Sequence, residues 1–278
     1  MQISQIYKEK KQPLSLEIFP PKGDLSIENA ISILNEICFL KPDFISVTRT
    51  DTKSPDFTKT IKIASIIKNS YNIESVAHLT CINNSKEVIR QALLQLRERH
   101  VENILALLGN LPDDYVPGDY SYASELIADI DDDYFCVGGA CYPEGHIDAD
   151  SLEADLEYIK LKQELGARFF ISQLFFDNDT FYRFIEKARS RGITCPISAG
   201  IMPILSQKQI SKMIFTCGVS LPGAIVRLLN KYSDSPEELR KAGIEYANRQ
   251  MREVLSNTDC GVHIFIMNHP EIAQGLLG

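Results

Sequence analysis

The stretch that decides the fold is Leu14-Ser15-Leu16-Glu17-Ile18-Phe19-Pro20-Pro21, near the start of a chain of 278 residues. It is too short for a helix and largely apolar on both faces, which is typical of a buried parallel strand. Because prolines cannot donate to a strand ladder, the strand is predicted to end at Pro20. Glu17 is therefore predicted to lie close to the C-terminal end of a buried strand.

A carboxyl group in such a place has two interpretations. Burial disfavours the charged form, which predicts a raised pKa for Glu17 and a proton donor near neutral pH. Alternatively, Glu17 pairs with a lysine or arginine at the rim of a barrel and has a structural role. The residues alone leave both interpretations open.

Strand-like runs alternate with amphipathic helices along the rest of the chain. About eight such repeats are typical of a parallel (βα)8 barrel. The competing doubly wound sheet would need a glycine-rich first turn, and Pro20-Pro21-Lys22-Gly23 is not one. We therefore predict a single-domain TIM barrel over residues 1–278. Its later strands are predicted at Phe44–Thr48, Glu74–Thr80, Asn103–Leu108, Phe135–Ala140, Arg168–Gln173, Cys195–Ala199 and Val262–Phe265.

Composition excludes several classes of partner. The net charge of -8 argues against nucleic acid and anionic membranes. No apolar run approaches the roughly 20 residues that span a bilayer, and the polar segment 1–11 does not resemble a signal peptide. The seven cysteines are scattered without a C-x-x-C pair. We therefore expect a cytoplasmic protein with reduced thiols and no metal site.

Polar residues are predicted at the ends of six strands, and active sites of this fold lie at the C-terminal ends of the strands. Each residue has a structural alternative when taken singly, such as a core histidine or a plain turn. Together they predict a pocket rich in hydrogen-bonding groups and poor in metal ligands. These residues are Glu17, Thr48, His78, Gly109-Asn110, Tyr142 and Gln173.

Two charged residues follow on the helix after the fifth predicted strand. Asp155 could accept hydrogen bonds from ribose hydroxyls, and Lys162 could offer charge to a phosphate. Alternatively, both are ordinary charges on a solvent-facing helix, which spacing alone favours.

Successive motifs of the chain resemble the 5,10-methylenetetrahydrofolate reductase family in its short bacterial form. The resemblance is collinear from about Leu14 to Asn268, and the order of the motifs is more specific than any one of them. The motifs are Leu16-Glu17-Ile18-Phe19-Pro20-Pro21, Phe44-Ile45-Ser46-Val47-Thr48, Ala77-His78-Leu79-Thr80-Cys81, Asn103-Ile104-Leu105-Ala106-Leu107, Tyr142-Pro143-Glu144-Gly145-His146, Gln173-Leu174-Phe175-Phe176-Asp177 and Gly200-Ile201-Met202-Pro203.

The resemblance implies a flavin-dependent barrel that works by a ping-pong reaction and assembles as a homo-oligomer. NADH or NADPH reduces bound FAD, and methylenetetrahydrofolate then takes the hydride to give 5-methyltetrahydrofolate. The acidic chain favours NADH. Glu17 matches the family's general acid, which protonates the folate so that its five-membered ring opens.

Other site residues are carried over position by position. The resemblance places FAD contacts at Thr48, His78, Gly109, Asn110, Tyr122, Ala123, Tyr142, His146, Asp155 and Lys162. It places folate and nicotinamide contacts at Asn110, Gln173, Gln209 and His269.

The chain departs from the family pattern around the cofactor. Leu108 and Asn110 replace an arginine and an aspartate, and Arg49-Thr50-Asp51-Thr52-Lys53 replaces a glycine-rich loop. Tyr158 and Leu161 replace polar or basic residues, and His269 stands where the family usually has an arginine. Two alternatives follow: a non-catalytic barrel that binds folate or a partner enzyme, or a flavin reductase module that passes electrons to a partner subunit.

Overall fold

Eight parallel strands close into a barrel in the computed structural model, which describes residues 1–20, 27–49, 56–109, 118–131 and 133–277. Each strand pairs with the next, and the last pairs with the first. The predicted (βα)8 barrel is confirmed. The strands are β1 (Leu14–Ile18), β2 (Phe44–Val47), β3 (Glu74–Thr80), β4 (Asn103–Leu107), β5 (Cys136–Cys141), β6 (Phe169–Leu174), β7 (Ile197–Ile201) and β8 (Gly261–Phe265).

Helices follow the strands and cover the outside of the barrel. Several begin where the sequence predicts a cap: the Ser85 and Ser151 hydroxyls accept hydrogen bonds from the first turns of their helices. The helices are α1 (Ile3–Glu9), α2 (Ile27–Ile37), α3 (Thr58–Ser70), α4 (Lys86–Glu98), α5 (Ala123–Asp129), α6 (Leu152–Glu164), α7 (Asn178–Ser190), α8 (Gln207–Cys217), α9 (Gly223–Lys231), α10 (Pro236–Asn257) and α11 (Pro270–Leu277), with a short 3-10 turn at Cys38–Leu40.

Helix α1, which the sequence does not predict, lies at the N-terminal end of the barrel. Its buried residues Ile3 and Ile6 pack against the apolar side chains inside the barrel. The Ile3 amide donates to Oδ1 of Asn103 at the start of β4, over 2.8 Å. A helix of two turns with two buried residues leaves too short a pattern in the sequence to be recognised.

The side chains inside the barrel change from apolar to polar along the barrel axis. Because alternate residues of a strand face opposite sides, the apolar side chains inside the barrel are followed two positions later by polar ones. Phe44 and Val76 belong to the apolar inner cluster, and Ser46 and His78 follow them towards the C-terminal ends of their strands. A buried polar layer therefore lies above the apolar layer, nearer the predicted active site.

Helix α10 crosses the chain just after β7 at very short range. A Cβ atom built on Gly243 would lie 1.9 Å from the backbone oxygen of Ile204. Backbone cannot yield as a flexible side chain can, so this contact requires glycine in the middle of a helix.

We predict that Gly243→Ala lowers the free energy of unfolding by about 1–3 kcal/mol, the usual cost of overpacking. Alanine favours helix by about 1 kcal/mol over glycine, so a purely local effect would have the opposite sign. Urea denaturation measures the change. The control is Gly223→Ala at the start of α9, where the new Cβ meets only the end of the Arg227 side chain; equal effects of the two substitutions would contradict the prediction.

Candidate active site

Glu17 lies in the buried polar layer among three side chains from three other strands. Its side chain is nearly buried, with 7% exposure. Oε2 lies 3.3 Å from Nε2 of His263 and 3.5 Å from Nε2 of His78. The Ser46 hydroxyl donates to the same oxygen over 3.3 Å. Glu17 is the second-last residue of β1. Its predicted position close to the C-terminal end of a buried strand is confirmed.

The raised pKa predicted for Glu17 is wrong. Burial does raise it, but the hydrogen bond from His263, the charges of the two imidazoles and the Ser46 hydroxyl outweigh burial, so the pKa of Glu17 lies below its usual value. The alternative, a lysine or arginine partner, is not found among the described residues either. The described partners of this carboxylate are histidines and a serine.

The surroundings of His78 make its imidazole a weaker base than an exposed histidine. Burial lowers the pKa of His78 to about 4, although the nearby Glu17 charge acts in the opposite direction. At neutral pH this imidazole is therefore uncharged.

His263 belongs to the site although the sequence analysis does not nominate it. It lies in the middle of β8, whereas the search favoured residues at strand ends. The available signal is a polar residue at an alternating position in an apolar strand, which faces the inside of a barrel as Ser15 does on β1.

A second cluster lies between β5 and α6. Asp155 is 3% exposed, and its Oδ2 makes no hydrogen bond to any described residue. Burial raises the pKa of Asp155. Lys162 is partly buried, and its Nζ donates to the carbonyl of Ala140 over 3.2 Å. The interpretation of both residues as ordinary solvent-facing charges is therefore wrong.

Two aromatic rings stand at the end of β5 near this cluster. Tyr142 and His146 pack edge to face, with ring centroids 4.6 Å apart. Burial raises the pKa of Tyr142, so it stays a neutral hydroxyl. His146 also acts on the carboxylate of Asp155, whose pKa it lowers in opposition to burial.

Thr48 has a buried hydroxyl, and the backbone of Gly109 lies close to neighbouring side chains. Oγ1 of Thr48 is buried and has no hydrogen-bond partner among the described residues. Gly109 has a φ of 97°, and a Cβ there would lie 2.7 Å from Cγ2 of Ile82, so the position requires glycine. Asn110, Pro21 and the 50–53 segment lie outside the described residues.

Gln173 in β6, Gln209 in α8 and His269 after β8 each make a hydrogen bond to a residue nearby in the chain. Oε1 of Gln173 accepts from the Leu174 amide and Oε1 of Gln209 from the Leu205 amide. His269 pairs with Glu271, and Tyr122 and Ala123 lie at the start of α5. No described contact joins Gln173, Gln209 or His269 to Glu17.

Other features of the described chain bear on the kind of protein. All seven cysteines are free. No group of three or more potential metal ligands occurs in the described ranges. None of the helices within those ranges is both long and apolar enough to cross a membrane.

Comparison with known proteins bears on what this site is. The family model for methylenetetrahydrofolate reductase matches residues 2–277. The chain belongs to the methylenetetrahydrofolate reductase family. The resemblance found in its motifs is thereby confirmed.

Curated relatives extend over most of the chain. "Methylenetetrahydrofolate reductase (NADH) 1" of Arabidopsis thaliana is 32% identical over 293 residues, covering 99% of this chain and 49% of that protein. "5,10-methylenetetrahydrofolate reductase" of Pectobacterium carotovorum subsp. carotovorum is 31% identical over 267 residues, covering 95% of this chain and 88% of that protein. The chain spans about half the length of the plant relatives it matches.

A solved structure shares the fold at low sequence identity. It is described as "Uncharacterized protein from Clostridium thermocellum binds two copies of 5-methyl-5,6,7,8-tetrahydrofolic acid". It is 15% identical, with a TM-score of 0.68, and the match covers 100% of this chain and 99% of that one.

We predict that His78 makes stability depend on pH. Because the pKa of His78 is lower in the folded chain than in the unfolded one, the unfolded chain binds more protons, and stability is lost as pH falls from about 6.5 towards 4. Over this pH range the free energy of unfolding falls by roughly 2–4 kcal/mol. Urea denaturation between pH 7 and pH 4 should show a smaller fall in the free energy of unfolding for His78→Gln than for the wild type. The same change at exposed His269 serves as control, and equal slopes for wild type and His78→Gln would contradict the prediction.

Proposed function

We propose that the chain reduces 5,10-methylenetetrahydrofolate to 5-methyltetrahydrofolate, with FAD as cofactor and NADH or NADPH as reductant, in a ping-pong reaction. The observation that carries the proposal is Glu17, a nearly buried carboxyl group at the C-terminal end of the barrel in a chain of this family. The relatives' names give the substrate class.

Glu17 would supply the proton that opens the folate ring. The proton passes from the carboxyl group to N10 of the substrate. The bond from N10 to the bridging carbon then breaks, its electron pair stays on N10, and the lone pair of N5 completes an iminium. A flavin, when bound, accepts a hydride from the nicotinamide and delivers it to that carbon.

The low pKa of Glu17 constrains this role. With the site open to water, Glu17 is a carboxylate near neutral pH, held by His263 and Ser46. Flat ligands that cover the C-terminal end of the barrel would remove the remaining water, and this raises the pKa of a buried acid. Protonation would therefore accompany closure of the site.

The residues present fit the hydroxyl-rich part of a flavin nucleotide. The unpartnered oxygen of Asp155 can accept a hydrogen bond from a ribityl or ribose hydroxyl. The Thr48 hydroxyl can bond a polar edge of the ring system, and Gly109 lets backbone approach it closely. Lys162 adds positive charge beside Asp155.

Three described residues offer no charge to the diphosphate of FAD. Leu108 packs against the hydrophobic core, and Tyr158 and Leu161 are exposed apolar residues on α6. These features favour a second candidate function: a family member with weakened FAD affinity that binds folate without turnover, or works only with a partner subunit.

Homo-oligomeric assembly stays a prediction. We also expect a cytoplasmic location, because the free cysteines suit a reducing compartment.

We predict that the purified protein carries, or takes up, FAD with Asp155 as a main contact. Asp155→Asn should weaken FAD binding about 10- to 100-fold, since a hydrogen bond to a charged group contributes about 1.5–3 kcal/mol. Flavin absorbance and titration with FAD measure it. Glu164→Gln, an exposed change on the same helix, is the control. A protein that stays colourless in excess FAD would favour the second candidate function.

We predict that Glu17→Gln slows folate reduction by the reduced flavoprotein about 10²- to 10⁴-fold, the range of general acid catalysis. Reduction of the flavin by NADH should change less than about threefold, because that step needs no proton from Glu17. Stopped-flow spectroscopy separates the two half-reactions. The same substitution at exposed Glu36 should alter neither, and full folate turnover by Glu17→Gln would refute the assignment.

A further inference from the structure

The rim of the barrel carries a positive charge at Arg49, two residues after the end of β2. We infer that Arg49 binds the diphosphate of FAD, and that Phe57 and Thr80 hold its guanidinium in place for this contact. The inference rests on the proposed function for the identity of the cofactor. It assigns a residue to the anionic part of that cofactor, which the contacts proposed for Thr48 and Asp155 do not serve.

Two contacts hold the guanidinium of Arg49. Its Cζ lies 4.2 Å from the centre of the Phe57 ring, and Nη1 donates a hydrogen bond to Oγ1 of Thr80 over 2.5 Å. Both partners are buried. A guanidinium presents five N–H donors in a rigid plane that matches the oxygens of a phosphate. Because the stacking and the hydrogen bond fix this plane before a ligand binds, less conformational entropy is lost on binding.

Thr80 brings the Arg49 charge to the mouth of the barrel. Alternate residues of a strand face the same side, so Thr80 at the end of β3 faces inward as Val76 and His78 do. A Cβ atom built on Gly109 would lie 3.2 Å from Cβ of Thr80. The guanidinium bonded to Thr80 is therefore close to the backbone after β4, where a ligand can approach because glycine has no side chain.

The neighbouring Thr48 side chain points to a ligand at the same rim. Thr48 faces inward, as Ser46 does two positions earlier on β2, and it is 8% exposed. Its Oγ1 has no hydrogen-bond partner among the described residues. The Thr48 backbone is fixed on both sides, since its amide donates to the Ile18 carbonyl and its own carbonyl accepts from Oγ1 of Thr60. A buried hydroxyl held in this way, next to Arg49, suits a polar ligand that contacts both side chains.

The groups that suit the cofactor follow one another along neighbouring strands. Arg49 follows β2, Gly109 follows β4 and Asp155 lies on the helix after β5. Strands in a sheet are about 4.8 Å apart, so the rim from β2 to β5 measures roughly 14 Å. A ligand that contacts both Arg49 and Asp155 must therefore be extended, with an anionic group at one place and hydroxyl groups at another. FAD has this form, since its diphosphate is flanked by ribityl and ribose hydroxyls.

A purely structural role for Arg49 is the alternative. The pKa of the Asp56 carboxyl lies below its usual value, chiefly because of hydrogen bonds from Thr58 and to a smaller extent because of the Arg49 charge. An arginine that only braces Asp56 and Phe57 would affect the stability of the chain, but its loss would weaken the binding of all flavins alike. A comparison of flavins with and without phosphate therefore separates the two roles.

Titration of the full chain with FAD and with riboflavin, followed by flavin fluorescence, tests the inference without any turnover. Arg49→Gln should weaken FAD binding about 10- to 100-fold, as expected for the loss of hydrogen bonds to a charged group. Riboflavin, which has no phosphate, should lose less than about twofold in affinity. The wild type should bind FAD less tightly as the salt concentration rises, and Arg49→Gln should show a weaker salt dependence, because salt screens the interaction between charges.

Arg97→Gln is the matched control. Arg97 also stacks on an aromatic ring, with its Cζ 4.4 Å from the centre of the Tyr134 ring, and it donates to Asp131 over 2.5 Å. It lies where α4 leads into the start of β4, at the opposite end of the barrel, so its loss should leave FAD binding unchanged. Urea denaturation checks that both variants fold. Arg49→Lys keeps the charge without the planar fork, and it should retain the salt dependence with a lower FAD affinity than the wild type.

Unchanged FAD affinity in Arg49→Gln, an equal loss for FAD and riboflavin, or no uptake of FAD by the wild type would each overturn the inference. A raised KM for NADH with unchanged FAD affinity would move the bound diphosphate to the nicotinamide nucleotide and would also overturn it. Failure of the proposed function is seen separately. A protein whose FAD affinity depends on Arg49 but which reduces no folate refutes that function and leaves the inference intact.

Discussion

The hydrogen bond between Glu17 and His263 is the constraint on which the site depends. A carboxylate inside a closed barrel loses most of its hydration, which is costly unless other groups replace water. Here two imidazoles and a hydroxyl replace it, and they more than offset the effect of burial on the pKa of Glu17.

The barrel provides this arrangement through its layers. Apolar side chains and helix α1 fill the N-terminal half of the barrel. The polar layer lies towards the C-terminal ends of the strands, where the loops of this fold carry chemistry.

The region between β5 and α6 has a different arrangement of charges. Asp155 and Lys162 belong to a helix on the outside of the barrel, yet the first is buried and the second partly so, because α6 packs over the end of β5. Oδ2 of Asp155 has no hydrogen-bond partner among the described residues. Leu108, Tyr158 and Leu161, which replace polar or basic residues of the family pattern, carry no charge.

The sequence by itself determined the barrel, because each strand and most helices leave a local periodic pattern of apolar residues. It also determined the position of Glu17, since two prolines mark the end of its strand. It did not show α1 and α9, whose patterns are short, nor the sign of the Glu17 pKa shift. That sign depends on His263, 246 residues away, which closure of β8 onto β1 brings into contact. Only the tertiary structure decided it, because a pKa reports the neighbours in space, and burial and hydrogen bonding act on it in opposite directions.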